Sequence, residues 1–298
     1  MPPLYNGTIY RPPAEANTLL LPVTEGCTHN KCRFCNMYKD VHFRRLTDTE
    51  ICAWLNDIST GYGSFVAQMK RICLVGADPF ALSAAQIGKV LARIHEYLPN
   101  IKTVTMYAAI RNIKTKTDAD LTQLHNMGIN DLYVGVESGL DWVLKALNKG
   151  ITVQDIREQC LRLNNAGITH RDMLMLGTAG QGHAEENALA SAALENEINP
   201  SMILLTTMGC FEDTDLNDDI LANRFVPCGE TEILTEEKIF LENINLPKTY
   251  LWAAHDLNSV PLKGVLGENR EQMLQTLAAN IANMDDAAFK KNFVRDHF

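Results

Sequence analysis

Cys27, Cys32 and Cys35 lie within nine residues of one another in the spacing C-x4-C-x2-C. Thiolates at such intervals can converge on one metal centre, because gaps of two and four residues close tight turns around it. Three ligands are one short of a closed structural zinc site or an ordinary four-cysteine iron–sulfur cluster. One coordination position would then stay open, as a reactive centre requires. The spacing admits three readings: zinc completed by His29 or His42, a group of buried or redox thiols, and a [4Fe–4S] cluster whose fourth iron takes a small molecule. The remaining cysteines, Cys52, Cys73, Cys160, Cys210 and Cys228, are scattered and read as small buried hydrophobes. No basic-then-apolar export signal opens the chain, so a disulfide framework is not expected.

The three-cysteine loop directly follows a strand-like run at residues 18–23. Further β-rich runs fall at 72–75, 103–108, 131–136, 172–176 and 201–206. Between them the periodicity predicts helices at 48–58, 84–98, 118–127, 153–166 and 184–198. Thr117 with Asp118 and Asp120 reads as a helix start, and Gly128 and Gly167 as helix stops. Strands alternating with helices in this way imply repeated βα units around a parallel sheet, an α/β protein whose right-handed crossovers wind or curl the sheet. In a barrel of such units, loops at the carboxyl ends of strands build the active site, and the cysteine loop is one of them. A further helix is predicted at 235–243, then an irregular stretch at 246–263, then a last helix at 268–284. With no low-complexity linker, the chain reads as one domain over 1–245 with an extension over 246–298 packed against it.

The 298 residues are 46% hydrophobic and 21% charged, enough apolar sequence to bury a full core. No run of about 18 apolar residues is present, so no membrane helix is expected and a cytoplasmic location is. The net charge of −9 opposes a nucleic-acid partner, which would need a basic footprint. A local basic run, Lys31, Arg33, Lys39, Arg44 and Arg45, surrounds the cysteines; Lys39, Arg44 and Arg45 either form a solvated face or draw in an anionic substrate.

The cysteine loop resembles the cluster motif of the radical S-adenosylmethionine (SAM) enzymes, with Phe34 at the aromatic position before the last cysteine. Four residues between the first two cysteines, in place of the usual three, make it similar to a subgroup near the Elongator catalytic subunit and methylthiotransferase-like proteins. The likeness extends over about residues 10–265. Gly76, Ala77 and Asp78 fall on the family's Gly-Gly-Glu-like element, which holds the SAM ammonium group. Glu137 and Ser138 fall on its Gly-Leu-Glu-Ser-Gly strand and would line the SAM pocket; a glutamate in an apolar strand is costly to bury unless paired. Met175 and Leu176 correspond to the strand that offers its backbone to adenine, and Arg171 to a partner for the SAM carboxylate. His255, in a segment similar to the subgroup's C-terminal region, is a candidate for substrate contact at the barrel mouth or a structural histidine.

The resemblance implies a partial (β/α)6 TIM-like barrel with a C-terminal helical extension. It also implies a [4Fe–4S] cluster that chelates SAM through its open iron and cleaves it on one-electron reduction, usually to methionine and a 5′-deoxyadenosyl radical. A small molecule, anionic if the basic run draws it in, is the expected substrate, and a flavodoxin or ferredoxin the kind of electron donor. No cysteine follows Cys228 and only 26 residues precede Cys27, so auxiliary-cluster domains at either end are not expected, nor is a cobalamin or acetyltransferase domain. A tRNA- or peptide-modifying enzyme is the alternative within the class. Outside it, the alternative is a zinc-stabilised, non-catalytic metal-binding or regulatory protein.

Overall fold

The computed structural model describes residues 5, 8–293 and 295. Two compact units divide the chain. The first holds residues up to Asn30 together with Met37–Val134 and Gln159–His170; the second holds Lys31–Asn36, Gly135–Glu158 and the chain from Arg171 onward.

In the first unit, β1 (Leu19–Pro22) is followed by two short strands, β2 (Thr24–Glu25) and β3 (Arg44–Arg45), then α1 (Asp48–Tyr62) and β4 (Arg71–Val75). Next come α2 (Ala84–Tyr97), β5 (Thr103–Ala108), α3 (Ile110–Lys114), α4 (Asp118–Asn126) and β6 (Ile129–Glu137), whose last three residues pass into the second unit. The sheet order is β1-β4-β5-β6, all parallel, with Leu19 opposite Ile72, Arg71 opposite Thr103 and Tyr107 opposite Tyr133. The helices start where side chains can satisfy their first free amides. Thr47 with Glu50, Ser83 with Gln86 and Thr117 with Asp120 all form reciprocal capping boxes. Buried Ile87, Val90, Leu91 and Ile94 give α2 the apolar stripe that covers the sheet.

Below this sheet, Glu15 is fully buried and ties the N-terminal segment down. Arg71 donates to both of its oxygens at 2.8 and 2.6 Å, and Tyr133 adds a third bond at 2.6 Å. The same guanidinium grips Asp131 at 3.0 and 2.9 Å.

The second unit contains α5 (Asp141–Ala146), the first half of α6 (Val153–Asn165), β7 (Thr169–Leu176) from Arg171 onward, α7 (Ala184–Ile198), β8 (Met202–Thr207), α8 (Asp215–Leu221) and α9 (Glu230–Asn243). It ends with β9 (Tyr250–Ala253), β10 (Leu262–Val265), α10 (Leu266–Asn283) and α11 (Asp286–Asn292). Here β7, β8 and β9 run parallel, and β10 returns antiparallel to β9.

The strands expected from the sequence are present, each within three residues of its expected ends. The stretch 246–263 is a correction: it holds β9 and the first half of β10 instead of being irregular. Four-residue strands show little periodicity, and only their register against β8 and each other makes them strands. Short α3, α5, α8 and α11 escape the sequence for the same reason, and α9 begins five residues before its expected start.

Candidate active site at the strand ends

The cysteine loop springs from a two-residue neck. β2 pairs antiparallel with β3, so residues 26–43 leave and return side by side. Arg44 closes the neck, donating to both oxygens of buried Glu25 at 2.7 Å and to Glu50 at 3.1 Å. Arg44 is therefore committed to two carboxylates, which corrects the idea that it draws in an anionic substrate. Its charge instead offsets the cost of burying Glu25.

Cys27 lies in the first unit, half-buried, with the amide of Asn30 pointing at its sulfur at 3.4 Å. The Asn30 side chain donates to the carbonyl of Tyr38 at 2.8 Å, bracing the loop from inside. Thr28, next to Cys27, donates its hydroxyl to Asp78, and Asn112 of α3 donates to the other Asp78 oxygen at 2.5 Å. Asp78 is only 2% exposed, and burial pushes its carboxyl pKa up against these hydrogen bonds. Gly76 makes this approach possible: at φ +120° it runs against the backbone of Thr24, where any Cβ would collide. The β4 turn, with half-exposed Ala77 on it, is thus fitted to the neck of the cysteine loop.

Cys32 and Cys35, also half-buried and outside any disulfide, belong to the second unit. The amide of Cys35 donates to the carbonyl of Cys32 at 3.2 Å, closing a turn between them. Arg33 anchors this turn three ways. Its amide donates to Leu147, its carbonyl accepts from Leu216, and its guanidinium holds Asp219 at 2.9 and 2.5 Å. Phe34 packs on an apolar cluster of Val143, Leu147, Met208 and Leu216, and Met175 packs on the same cluster.

Glu137 ends β6 in the left-handed region, φ +68°, which a glutamate enters only under constraint. Its carboxylate is 7% exposed and paired with Lys149, whose ammonium also sits 6.0 Å from the Phe34 ring centroid. Ser138 is fully buried, donating to Asn187 at 2.6 Å and accepting from the amide of Leu140 at 3.1 Å. The turn then presses onto α7 at Gly139, where a Cβ would strike the backbone of Ala190.

On β7, burial alternates, so Met175 shares a face with Arg171 while Leu176 points to the other. The two apolar residues therefore do not form one side-chain platform; their common feature is the backbone at the strand's end. Arg171 lies four residues earlier, about 13 Å along the strand from Met175, near the amino end of β7. His255 follows β9; its Nδ1 accepts from the Leu257 amide at 3.1 Å and its ring meets Trp252 edge-on. Burial lowers its pKa, although Asp256 opposes the shift, and a neutral ring accepting at Nδ1 fits a structural histidine.

Sequence reasoning missed Arg33, Lys149 and Asn187. Arg33 stood only as one of the basic residues around the cysteines, and nothing in the sequence distinguishes Lys149 or Asn187 from solvated polar residues. Three half-buried thiols on one loop, none in a disulfide, form a soft donor set suited to iron, and the strained, ion-paired Glu137 and the Gly76 turn suit a polar cofactor approaching backbone.

The family model described as "Radical SAM superfamily" matches residues 21–190, more than half the chain. The chain belongs to that superfamily: it is a radical SAM enzyme, and its cofactors are a [4Fe–4S] cluster and S-adenosylmethionine. No curated protein matches it. Solved structures share the fold at low identity. Methylornithine synthase superposes with a TM-score of 0.54 at 15% identity, over 92% of this chain and 85% of its own. The archaeal Elp3 of Methanocaldococcus infernus, lacking its N-terminus, gives 0.56 at 14%, over 88% and 63%. The radical SAM methyltransferase TsrM from Kitasatospora setae, with cobalamin and a [4Fe–4S] cluster bound, gives 0.55 at 14%, over 69% of this chain. This chain spans only 39% of TsrM. The parallel α/β architecture is thus that of the radical SAM enzymes, and among the described residues no helix is long and apolar enough to cross a membrane.

Proposed function

We propose that Cys27, Cys32 and Cys35 hold the cluster, that SAM occupies the carboxyl ends of β4, β6 and β7, and that the substrate is a small molecule. The observation that carries this reading is the set of three half-buried thiols, none in a disulfide, on one loop at a strand's carboxyl end. When bound, cluster and SAM together supply one-electron cleavage and radical chemistry; the chain's residues bind and orient. Phe34 backs the loop against its apolar cluster. Glu137, held by Lys149, offers a carboxylate to the polar groups of SAM, with Ser138 fixing its turn. Backbone at Gly76, Ala77, Met175 and Leu176 can approach the cofactor closely. Asp78, with both oxygens engaged, holds Thr28 and hence the loop beside Cys27. Residues 1–245 serve as the catalytic domain and 246–298 as an extension that packs on α9, where Arg270 donates to the Ile244 carbonyl at 2.6 Å. The reductant is a one-electron donor of the flavodoxin or ferredoxin kind.

Iron and sulfide analysis after anaerobic reconstitution tests the ligand set. Cys27→Ala, Cys32→Ala and Cys35→Ala are each expected to lose the cluster, whereas Cys160→Ala, a buried thiol, retains it. Wild-type iron in any of the three loop variants would remove that cysteine from the site.

A further inference from the structure

Four elements of the second unit meet in one buried hydrogen-bonded chain. Ser138, at the end of β6, donates to Oδ1 of Asn187 on α7 at 2.6 Å. The Asn187 amide nitrogen donates to Thr178, just after β7, at 3.2 Å and to Glu236 on α9 at 2.6 Å. The second Glu236 oxygen accepts the backbone amide of Gly177 at 2.9 Å. Ser138, Thr178, Asn187 and Glu236 are all at most 2% exposed. The donor directions fix every member. Flipping the Asn187 amide would set its oxygen against the carboxylate, and both Glu236 oxygens already face N–H donors. A carboxylate accepts such bonds more strongly than a neutral carboxyl, so a proton on Glu236 would weaken both bonds or turn the Asn187 amide, and this arrangement is the one the ionised carboxylate favours.

We propose that Glu236 is a positioning residue for SAM binding: through Asn187 and the Gly177 amide its carboxylate holds the ends of β6 and β7 in their binding geometry, and its protonation releases them. The inference rests on the reading that SAM occupies those strand ends. At β6, the retained geometry is the left-handed backbone of Glu137, adjoining the Ser138 hydroxyl that Asn187 fixes. At β7, it is the backbone immediately after Leu176.

Burial raises the Glu236 pKa to about 7, with the Asn187 and Gly177 bonds lowering it and the Glu232 charge raising it. Glu237, on the same helix, is pushed by burial to about 8, and the Cys228 thiol before the helix is also pushed up. Ser138, Gly177, Thr178 and Asn187, which face Glu236 from β6, β7 and α7, carry no charge. The bonded arrangement is thus strongest above neutrality and weakens as pH falls through about 7.

The test measures SAM affinity of the anaerobically reconstituted enzyme between about pH 6 and about pH 8.5, alongside infrared titration of carboxyl groups in the SAM-free protein. Wild-type affinity is expected to fall about tenfold toward the acid end, in step with a carboxylic-acid band that Glu236→Gln removes. Glu236→Gln should bind about tenfold more weakly at the alkaline end and lose the pH dependence, at unchanged iron content. Flat wild-type affinity, or the wild-type pH profile surviving in Glu236→Gln, would overturn the proposal, the latter pointing to Glu237. If Glu236→Gln fails to fold, Glu237→Gln decides the case: a wild-type pH profile in that variant keeps the assignment to Glu236, and a lost one overturns it. Glu137→Ala separates the two levels: if it weakens SAM binding while Glu236→Gln does not, only this inference falls, and if it binds as wild type, the strand-end reading falls with it.

Discussion

Glu137 combines a strained backbone, a nearly buried carboxylate and a cationic partner, Lys149. Removing a charged hydrogen-bond partner typically costs about 1.5–3 kcal/mol, so Glu137→Ala should weaken SAM binding on the order of ten- to a hundredfold, with cluster content unchanged. Equilibrium binding to the reconstituted enzyme checks this. Lys149→Met strands the carboxylate instead, a change expected to destabilise the fold by about 3 kcal/mol. Adding Glu137→Gln to Lys149→Met should restore part of that loss in thermal melts; no recovery would mean that the ion pair is not what holds the turn. Asp78 has a different role at the same scale. Because it grips Thr28 beside Cys27, Asp78→Ala is expected to lower iron retention, which a residue contacting SAM alone would leave intact.

Among the elements, the turn between Cys32 and Cys35 depends on α8 through Arg33 and Asp219. A partly exposed pair of this kind contributes on the order of 1 kcal/mol to global stability. Arg33→Ala should therefore shift the melting temperature by only about 2 °C, yet yield iron to a chelator faster than the wild type. Equal chelation rates would show that the backbone bonds to Leu147 and Leu216 suffice. The N-terminal segment is pinned differently, by buried Glu15 under the first sheet. Burial would raise its pKa, but hydrogen bonds from Arg71, Thr18 and Tyr133, with the Arg71 charge, outweigh burial and hold it at about 2. A folded pKa below the unfolded value means the stabilisation is complete above about pH 5 and disappears as pH falls toward 2. The contribution is about 3 kcal/mol, so denaturant midpoints should drop over that interval in the wild type and much less in Glu15→Gln.

For the whole molecule, the superfamily assignment and the three-thiol loop together set the expected behaviour of the isolated enzyme. A cluster with one iron lacking a protein ligand should give a broad visible absorbance under anaerobic conditions and bleach in air. A chromophore that survives air would indicate a fourth protein ligand, and His29, half-exposed on the same loop, is the first to replace.

The cysteine spacing, the Gly76–Asp78 turn, the Glu137 strand and the alternation of strands and helices were legible in the sequence because each is local. A motif is written in consecutive residues, and a βα repeat is written in periodicity. What tertiary structure decided is which side chains those local features meet. Lys149 as the partner of Glu137, Arg44 as the clasp on Glu25, and Arg33 as an anchor to Asp219 all depend on residues that the chain brings together across 12, 19 and 186 positions. The same holds for β9 and β10, which are strands only because β8 offers an edge, and for Arg171, whose place along β7 follows from register. Glu236 is the extreme case: in sequence it is one acid among several on an ordinary helix, and only burial beside Asn187 and the Gly177 amide makes its charge matter. Periodicity reports which face of an element is apolar, whereas the cost of burying a charge is set by neighbours that periodicity does not encode.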